Sequence, residues 1–80
     1  MDKTAFGNGQ QALRDLLRDL RVEQQLRQID VADRLGEPQS FVSKYESGER
    51  RLDFVEVVEI CKALGVSLAD FVKRFERTCK

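Results

Sequence analysis

Five polar side chains recur at helical spacing in the middle of the chain, where they would form one hydrogen-bonding strip. They are Gln39, Ser40, Ser43, Lys44 and Ser47. At about 100° per residue they fall within an arc of about 140° that contains no acid and no large apolar group. Glutamine amides, serine hydroxyls and a lysine ammonium can all bond base edges in the major groove of DNA. The same residue types are common on solvated helix faces, so the strip alone leaves both interpretations open.

The opposite side of this segment is apolar and requires a packing partner. Phe41, Val42 and Tyr45 lie within an arc of about 100° there. The preceding segment offers a matching face, formed by Val31, Ala32 and Leu35. The small Ala32 lets two helices cross steeply, and Gly36 stands where a helix C-terminus favours glycine. These residues predict a helix-turn-helix over residues 28–47.

Three further helices are predicted around this pair. A leucine stripe places the first between about Gln10 and Gln24; its members are Leu13, Leu16, Leu17 and Leu20. Asp53 and Glu56 form a capping-box start for a fourth helix, whose stripe is Phe54, Val57, Ile60, Cys61 and Leu64. Ser67 and Asp70 repeat that signal before the stripe Leu68, Phe71, Val72 and Phe75. The prediction is an all-α domain of five helices over residues 10–76, between a flexible arm (1–9) and a C-terminal tail (77–80).

Composition excludes several classes of function. Eighty residues, 41% hydrophobic and 35% charged, suit one small globular domain. The formal net charge is zero and histidine is absent, so neither binding by bulk positive charge nor a histidine-based metal site is expected. No nucleophile–base pair or phosphate-cradling glycine loop is present, so we expect no enzyme activity, metal or cofactor.

The cysteines and the chain's apolar runs bear on its location. Cys61 is predicted to be a buried apolar residue and Cys79 an exposed thiol. A disulfide between them is possible on spacing alone but is disfavoured in a reducing cytosol. No apolar run reaches about 18 residues, and the N-terminus lacks the apolar core of a signal peptide. These features predict a cytoplasmic protein without a membrane segment.

Two spaced motifs add a family resemblance. They read Gln28-x-x-Val31-Ala32-x-x-Leu35-Gly36-x-x-Gln39-Ser40-x-Val42-Ser43-Lys44-Tyr45-Glu46-x-Gly48-x-Arg50 and Ile60-Cys61-Lys62-Ala63-Leu64-Gly65-Val66-Ser67. From Leu16 to Phe71 the chain resembles the Cro/phage-repressor helix-turn-helix family, also called XRE-type regulators. The resemblance implies a five-helix, lambda-repressor-like DNA-binding domain. It also implies a transcriptional regulator, a repressor or autoregulator that binds an operator as a dimer.

The resemblance assigns expected roles to matching positions. Gln28 would bind a phosphate through its side chain and the adjoining amides, and Gln39 and Ser40 would contact bases. Ser43 and Lys44 would contact further bases or the backbone. Arg50 and Arg51 match basic residues that touch phosphate after the recognition helix. Arg21 and Glu46 match a family ion pair, which as an exposed pair would contribute about 0–1 kcal/mol.

The chain departs from the family pattern at three positions. Arg27 replaces the usual Ser or Thr N-cap, which would cost about 1 kcal/mol, although its guanidinium offers a phosphate contact instead. Leu52 stands where proline is frequent, which predicts a less rigid loop. Phe41 replaces a small or polar residue, and either touches a thymine methyl or covers the edge of the core.

The charge balance and the apolar face of the last helix indicate which partners to expect. Residues 27–51 hold five bases and five acids, which predicts modest non-specific affinity and strong salt dependence. A tight operator then needs two copies of the chain on half-sites about one helical turn apart. Phe71, Val72 and Phe75 are the predicted dimer contact, while part of that stripe packs on the first helix. The alternative function is an antitoxin or helical interaction module whose partner is another protein, such as a toxin.

Overall fold

The predicted helix-turn-helix is present in the computed structural model, which describes residues 3–78 and the side chains of residues 9–78. The helices are α1 (Lys3–Glu23), α2 (Gln28–Leu35), α3 (Gln39–Ser47), α4 (Phe54–Leu64) and α5 (Leu68–Thr78). No strand occurs among residues 3–78. The predicted all-α, five-helix fold is therefore confirmed, with α2 and α3 forming the motif. None of the described helices has the length and apolar character required to cross a membrane.

The first helix starts earlier than predicted. α1 begins at Lys3 instead of about Gln10, so residues 3–9 are helical and the prediction of a loose arm is wrong there. Extending an existing helix gains one hydrogen bond for each residue fixed, and no proline interrupts the segment. Gly7 and Gly9 each cost about 1 kcal/mol relative to alanine, but neither blocks propagation. The last helix likewise continues to Thr78, into the predicted tail; Met1, Asp2, Cys79 and Lys80 lie outside the described residues.

Residues in the left-handed backbone conformation follow α1, α2 and α3. Gly36 ends α2 with φ 71°; its N–H donates to the carbonyl oxygen of Asp33 (3.2 Å), and the N–H of Glu37 donates to that of Ala32 (3.0 Å). Gly48 ends α3 with φ 89°, and a Cβ there would lie 3.0 Å from Cζ of Arg14. Gln25 adopts φ 59° after α1 without being glycine, which carries a backbone cost of about 1–2 kcal/mol.

The core is formed by one side of every helix. α2 packs against α3 and α4, and α1 packs against α3, α4 and α5. Buried residues shared by these contacts are Leu16, Leu17, Leu20, Val31, Ala32, Val42, Tyr45, Val57, Ile60, Cys61, Leu64 and Phe71. Val31, Ala32 and Val42 have no exposed surface, which confirms the predicted close crossing of α2 and α3. This packing fixes which side of α3 faces outward.

Candidate nucleic-acid interface

The polar strip of α3 lies on the surface. All five of its residues are exposed: Gln39, Ser40, Ser43, Lys44 and Ser47. On the opposite side, Val42 and Tyr45 are 0% and 2% exposed, so α3 is anchored by its apolar side. The orientation predicted from the helical wheel is confirmed. The strip presents hydrogen-bonding groups and one cation to solvent along the length of the helix.

A chain of side-chain hydrogen bonds holds the first residue of the strip. Nε2 of Gln39 donates to Oε1 of Gln28 (3.2 Å), and Nε2 of Gln28 donates to Oε1 of Glu46 (3.0 Å). Each amide carries two donor hydrogens and a carbonyl acceptor, so both retain capacity for further bonds. The start of α2 and the start of α3 are thereby linked through their two glutamines. Gln39 is positioned before any ligand arrives.

The predicted pair of Arg21 and Glu46 anchors this chain of bonds. Nε and Nη2 of Arg21 donate to the two carboxylate oxygens of Glu46 (2.7 and 2.9 Å), and Nη1 donates to the carbonyl oxygen of Leu26 (2.8 Å). The two side chains are only 13% and 5% exposed, so the expectation of an exposed pair is wrong. Hydrogen bonding to Glu46 raises the pKa of Arg21 despite the opposing effect of burial. A desolvated, bidentate pair constrains α3 far more than a surface pair does.

The missing N-cap at Arg27 is compensated by the carboxylate of Asp30, one turn along α2. Its side chain caps nothing, as predicted, but Oδ2 of Asp30 accepts from the Arg27 backbone N–H (2.8 Å). Nε and Nη2 of Arg27 also donate to Asp30 (3.1 and 2.9 Å). These side-chain and backbone bonds lower the pKa of Asp30 to about 2. The amide of Arg27 and its guanidinium are thus already occupied, beside Gln28.

Arg50 has a partner that the sequence did not reveal. Its Nη1 and Nη2 donate to the carboxylate of Glu56 (2.9 and 2.6 Å), and its guanidinium lies 4.8 Å from the centre of the Phe41 ring.

Phe41 is half-buried and meets Tyr45 edge-on at 5.6 Å between ring centres, so it covers the edge of the core. Leu52 also packs against the core, which fixes the loop where the family often has proline.

Helix α1 contributes two arginines to this surface that sequence reasoning did not select. Arg18 lines a shallow cleft together with Ser43 and Ser47 of the strip. The guanidinium of Arg14 lies against Gly48 at the end of α3. Their spacing of four and three residues puts Arg14 and Arg18 on the α1 face that carries Arg21, but it does not show that this face borders α3. Within residues 9–78, neither Lys44 nor Arg51 pairs with a carboxylate, and both are exposed.

The predicted dimer residues divide into two groups. Phe71 is 3% exposed and lies mainly in the core, so it offers a partner little surface, although it lines the same cleft as Val72 and Phe75. Val72 is 41% exposed, and Phe75 is half-buried, stacked on Phe71 at 6.4 Å between ring centres. Phe54, predicted to be in the core stripe of α4, is instead 68% exposed because the first turn of α4 projects beyond the core. Phe54, Val72 and Phe75 line one apolar cleft of about 280 Å³.

Two further observations concern a buried thiol and metal ligands in the described part of the chain. Cys61 is buried, as predicted, and desolvation raises its pKa to about 11. Residues 9–78 contain no group of three acidic or cysteine side chains arranged to hold a metal ion.

Comparison with known proteins places this chain in a family. A family model described as Helix-turn-helix matches residues 17–71. The chain is 41% identical to the solved structure of an XRE-family like protein from Pseudomonas syringae pv. tomato, with a TM-score of 0.88, covering 94% of this chain and 92% of that one. A comparison with curated proteins gave no match. The fold and the exposed strip define a helix-turn-helix protein. The chain belongs to the XRE-type helix-turn-helix family.

More distant structures share the fold. The restriction-modification controller protein C.Esp1396I, solved as a tetramer with its natural 35 base-pair operator, is 21% identical with a TM-score of 0.84, covering 89% of this chain and 93% of that one. A mutant of that controller bound to its highest-affinity operator site is 22% identical with a TM-score of 0.83, over the same shares of both chains. At this level of identity, the likeness concerns the arrangement of the five helices.

Proposed function

We propose that this protein is a sequence-specific DNA-binding transcriptional regulator that inserts α3 into the major groove. The observation that carries the proposal is the exposed strip on α3 with Gln39 held in place by Gln28, Glu46 and Arg21. A side chain fixed before binding loses less conformational freedom on contact with a base, which favours discrimination between bases. The operator complexes solved for C.Esp1396I, which has the same fold, support this function.

Gln39 and Ser40 are the proposed base contacts, with Ser43 one turn further along the groove. The second hydrogen of Gln39 Nε2 and its Oε1 form a donor–acceptor pair, which matches the N7 and N6 edge of adenine. Ser43 faces the same groove from the middle of the strip, where its hydroxyl can donate or accept. Base discrimination then rests on neutral side chains, and their hydrogen bonds to bases depend little on the salt concentration.

The proposed phosphate contacts come from residues beside the strip. Gln28 lies at the N-terminus of α2, where its side chain and the amides that follow it suit a phosphate oxygen. The Arg27 amide is occupied by Asp30, so it does not take part unless that bond opens. Arg18 lines the same cleft as Gln28, Arg14 lies against Gly48, and Lys44 and Arg51 are exposed on α3 and in the loop after it. These four side chains supply positive charge around the strip on a chain that is neutral as a whole.

A second copy of the chain is the proposed partner of the apolar cleft. Phe54, Val72 and Phe75 expose an apolar surface that a monomer gains nothing by leaving in water. Two copies joined there would present two α3 helices to half-sites about one helical turn apart. Val72→Glu is expected to yield monomers in size-exclusion chromatography with light scattering. Val22→Glu, a change at another exposed valine, is expected to leave the oligomeric state intact; equal behaviour of the two variants would contradict the assignment.

Selection from a random duplex pool tests the function itself. We expect a defined sequence to emerge, with two related half-sites, and repression of a reporter that carries this sequence within its promoter. Recovery of no sequence, together with co-purification of a protein partner, would support the alternative of an antitoxin or interaction module. Either result separates base recognition from protein binding.

A matched pair of lysines tests which surface meets DNA. Lys44 and Lys62 both lie in the last turn of their helices, on α3 and α4 respectively, and both are exposed. Lys44→Ala is expected to weaken binding to every duplex and to flatten the salt dependence by about one phosphate contact. Lys62→Ala is expected to leave both unchanged. Equal losses in the two variants would mean that the strip is not the contact surface.

A further inference from the structure

Arg50 is held by contacts from three directions. Its two terminal nitrogens donate to the two oxygens of Glu56, Nη1 also donates to the carbonyl oxygen of Arg51 (3.1 Å), and the guanidinium covers the Phe41 ring. Glu56 is itself fixed, because its Oε1 accepts from the backbone N–H of Asp53 (3.0 Å) at the start of α4. The pair therefore joins the side of α3 to the N-terminus of α4.

The carboxylate occupies the part of the guanidinium that would receive a phosphate. Carboxylate and phosphate both offer two oxygens to the planar fork of arginine, so the two groups compete for the same donors. With Glu56 in place, the pair adds no net charge to the surface beside α3. Arg50 can reach a phosphate with full charge only after its bonds to Glu56 break.

We propose that Glu56 is an internal counter-ion for Arg50 that competes with DNA phosphate and lowers the affinity for duplex DNA of any sequence. This inference rests on the proposed function, and it assigns a role in DNA binding to Glu56, a residue that does not itself contact DNA. Weakening the sequence-independent attraction leaves binding more dependent on the base contacts of α3. The same pairing explains why Arg50, a basic residue in the loop after α3, adds little positive charge to the free protein.

Glu56→Gln isolates the charge from the structural role of this residue. Glutamine serves as well as glutamate at the third position of a capping box, so it can still accept from the Asp53 N–H. The Asp53 carboxylate continues to accept from the backbone N–H of residue 56 (2.8 Å). The variant therefore keeps the start of α4 and removes only the competing charge. Thermal unfolding followed by circular dichroism confirms that the fold is retained.

The experiment measures binding to a labelled random-sequence duplex of about 20 base pairs, which is two helical turns, across a series of salt concentrations. Glu56→Gln is expected to bind about fivefold more tightly at low salt, with a salt slope steeper by about 0.9, the value for one added phosphate contact. Glu59→Gln, an exposed acid on the same helix, controls for the general loss of negative charge. It is expected to change affinity less than about twofold.

Repeating both substitutions in an Arg50→Gln background shows whether the effect passes through Arg50. There, Glu56→Gln should match Glu59→Gln. The proposal is overturned if the two acids behave alike in the wild-type background, if the effect of Glu56→Gln persists without Arg50, or if Glu56→Gln weakens binding. Failure of the wild-type protein to bind any duplex would instead refute the proposed function, and this inference with it.

Discussion

Glu46→Gln removes one charge from the contact between α1 and α3 while keeping the shape of the side chain. Glu46 accepts two hydrogen bonds from Arg21 and one from Gln28, and it is 5% exposed. Glutamine retains one acceptor oxygen but places an amide NH2 against a cation that has little access to water. The substitution therefore tests whether the pair is a structural constraint on α3 or an incidental contact.

The magnitude follows from the burial of the pair. Hydrogen bonds to charged groups contribute about 1.5–3 kcal/mol, and removing one partner of a buried pair costs about 3–5 kcal/mol. Arg21 keeps its bond to the Leu26 carbonyl and some exposure, which reduces the loss. We expect a loss of about 2 kcal/mol in the free energy of unfolding, which for a domain of this size lowers Tm by about 10 °C.

The assay is urea unfolding of Glu46→Gln beside Glu49→Gln, an exposed acid three residues further along the chain. The control is expected to change stability by less than about 0.5 kcal/mol. In an Arg21→Met background, Glu46→Gln should cost much less, since no cation is left without a partner. Equal stability of Glu46→Gln and Glu49→Gln would refute the argument that this pair anchors α3.

Further predictions concern the base contact, acid stability and the buried thiol. Gln39→Ala should cost about 1–3 kcal/mol on the selected duplex and relax preference at one base pair, measured by competition with single-base variants. Arg27 holds the pKa of Asp30 at about 2, below its ordinary value of 3.8. The Asp30 carboxylate therefore stabilises the fold above about pH 4, and this contribution is lost as the pH falls towards 2. Between pH 4 and pH 2, Asp30→Asn should lose less free energy of unfolding than the wild-type protein does. With Cys79→Ser leaving a single thiol, Cys61 should react with a thiol reagent at pH 8 only after unfolding, since burial raises its pKa to about 11; rapid reaction in the native protein would contradict the packing of α4.

Much of the fold is determined by local patterns that can be recognised in the sequence. The orientation of α3 could be predicted because only its apolar side, formed by Phe41, Val42 and Tyr45, could enter a core. The capping box of Asp53 and Glu56 is formed in both directions, as its spacing indicates. Gly36 ends its helix in the left-handed conformation that glycine favours. Each of these features depends on neighbours within one or two turns.

The features that were missed depend on how helices lie relative to one another. Phe54 continues the stripe of α4, but the stripe does not show where the neighbouring helices end, so its exposure was not evident. Arg50 and Glu56 meet only because the loop after Gly48 turns back towards α4. Arg14 and Arg18 lie beside α3 because α1 crosses it, which periodicity within α1 cannot reveal. The full length of α1 was not evident because its leucine stripe begins only at Leu13, and the two glycines before it weaken a helix without ending it.

The orientation of α3 on DNA is tested most directly by the backbone amide shifts of isotope-labelled protein titrated with the selected duplex. We expect the largest changes across residues 39–47 and at Gln28, with Arg51 also affected. Residues 58–64 of α4 should change little. Large changes confined to α4 and α5, with residues 39–47 unaffected, would mean that the polar strip of α3 is not the surface that meets DNA.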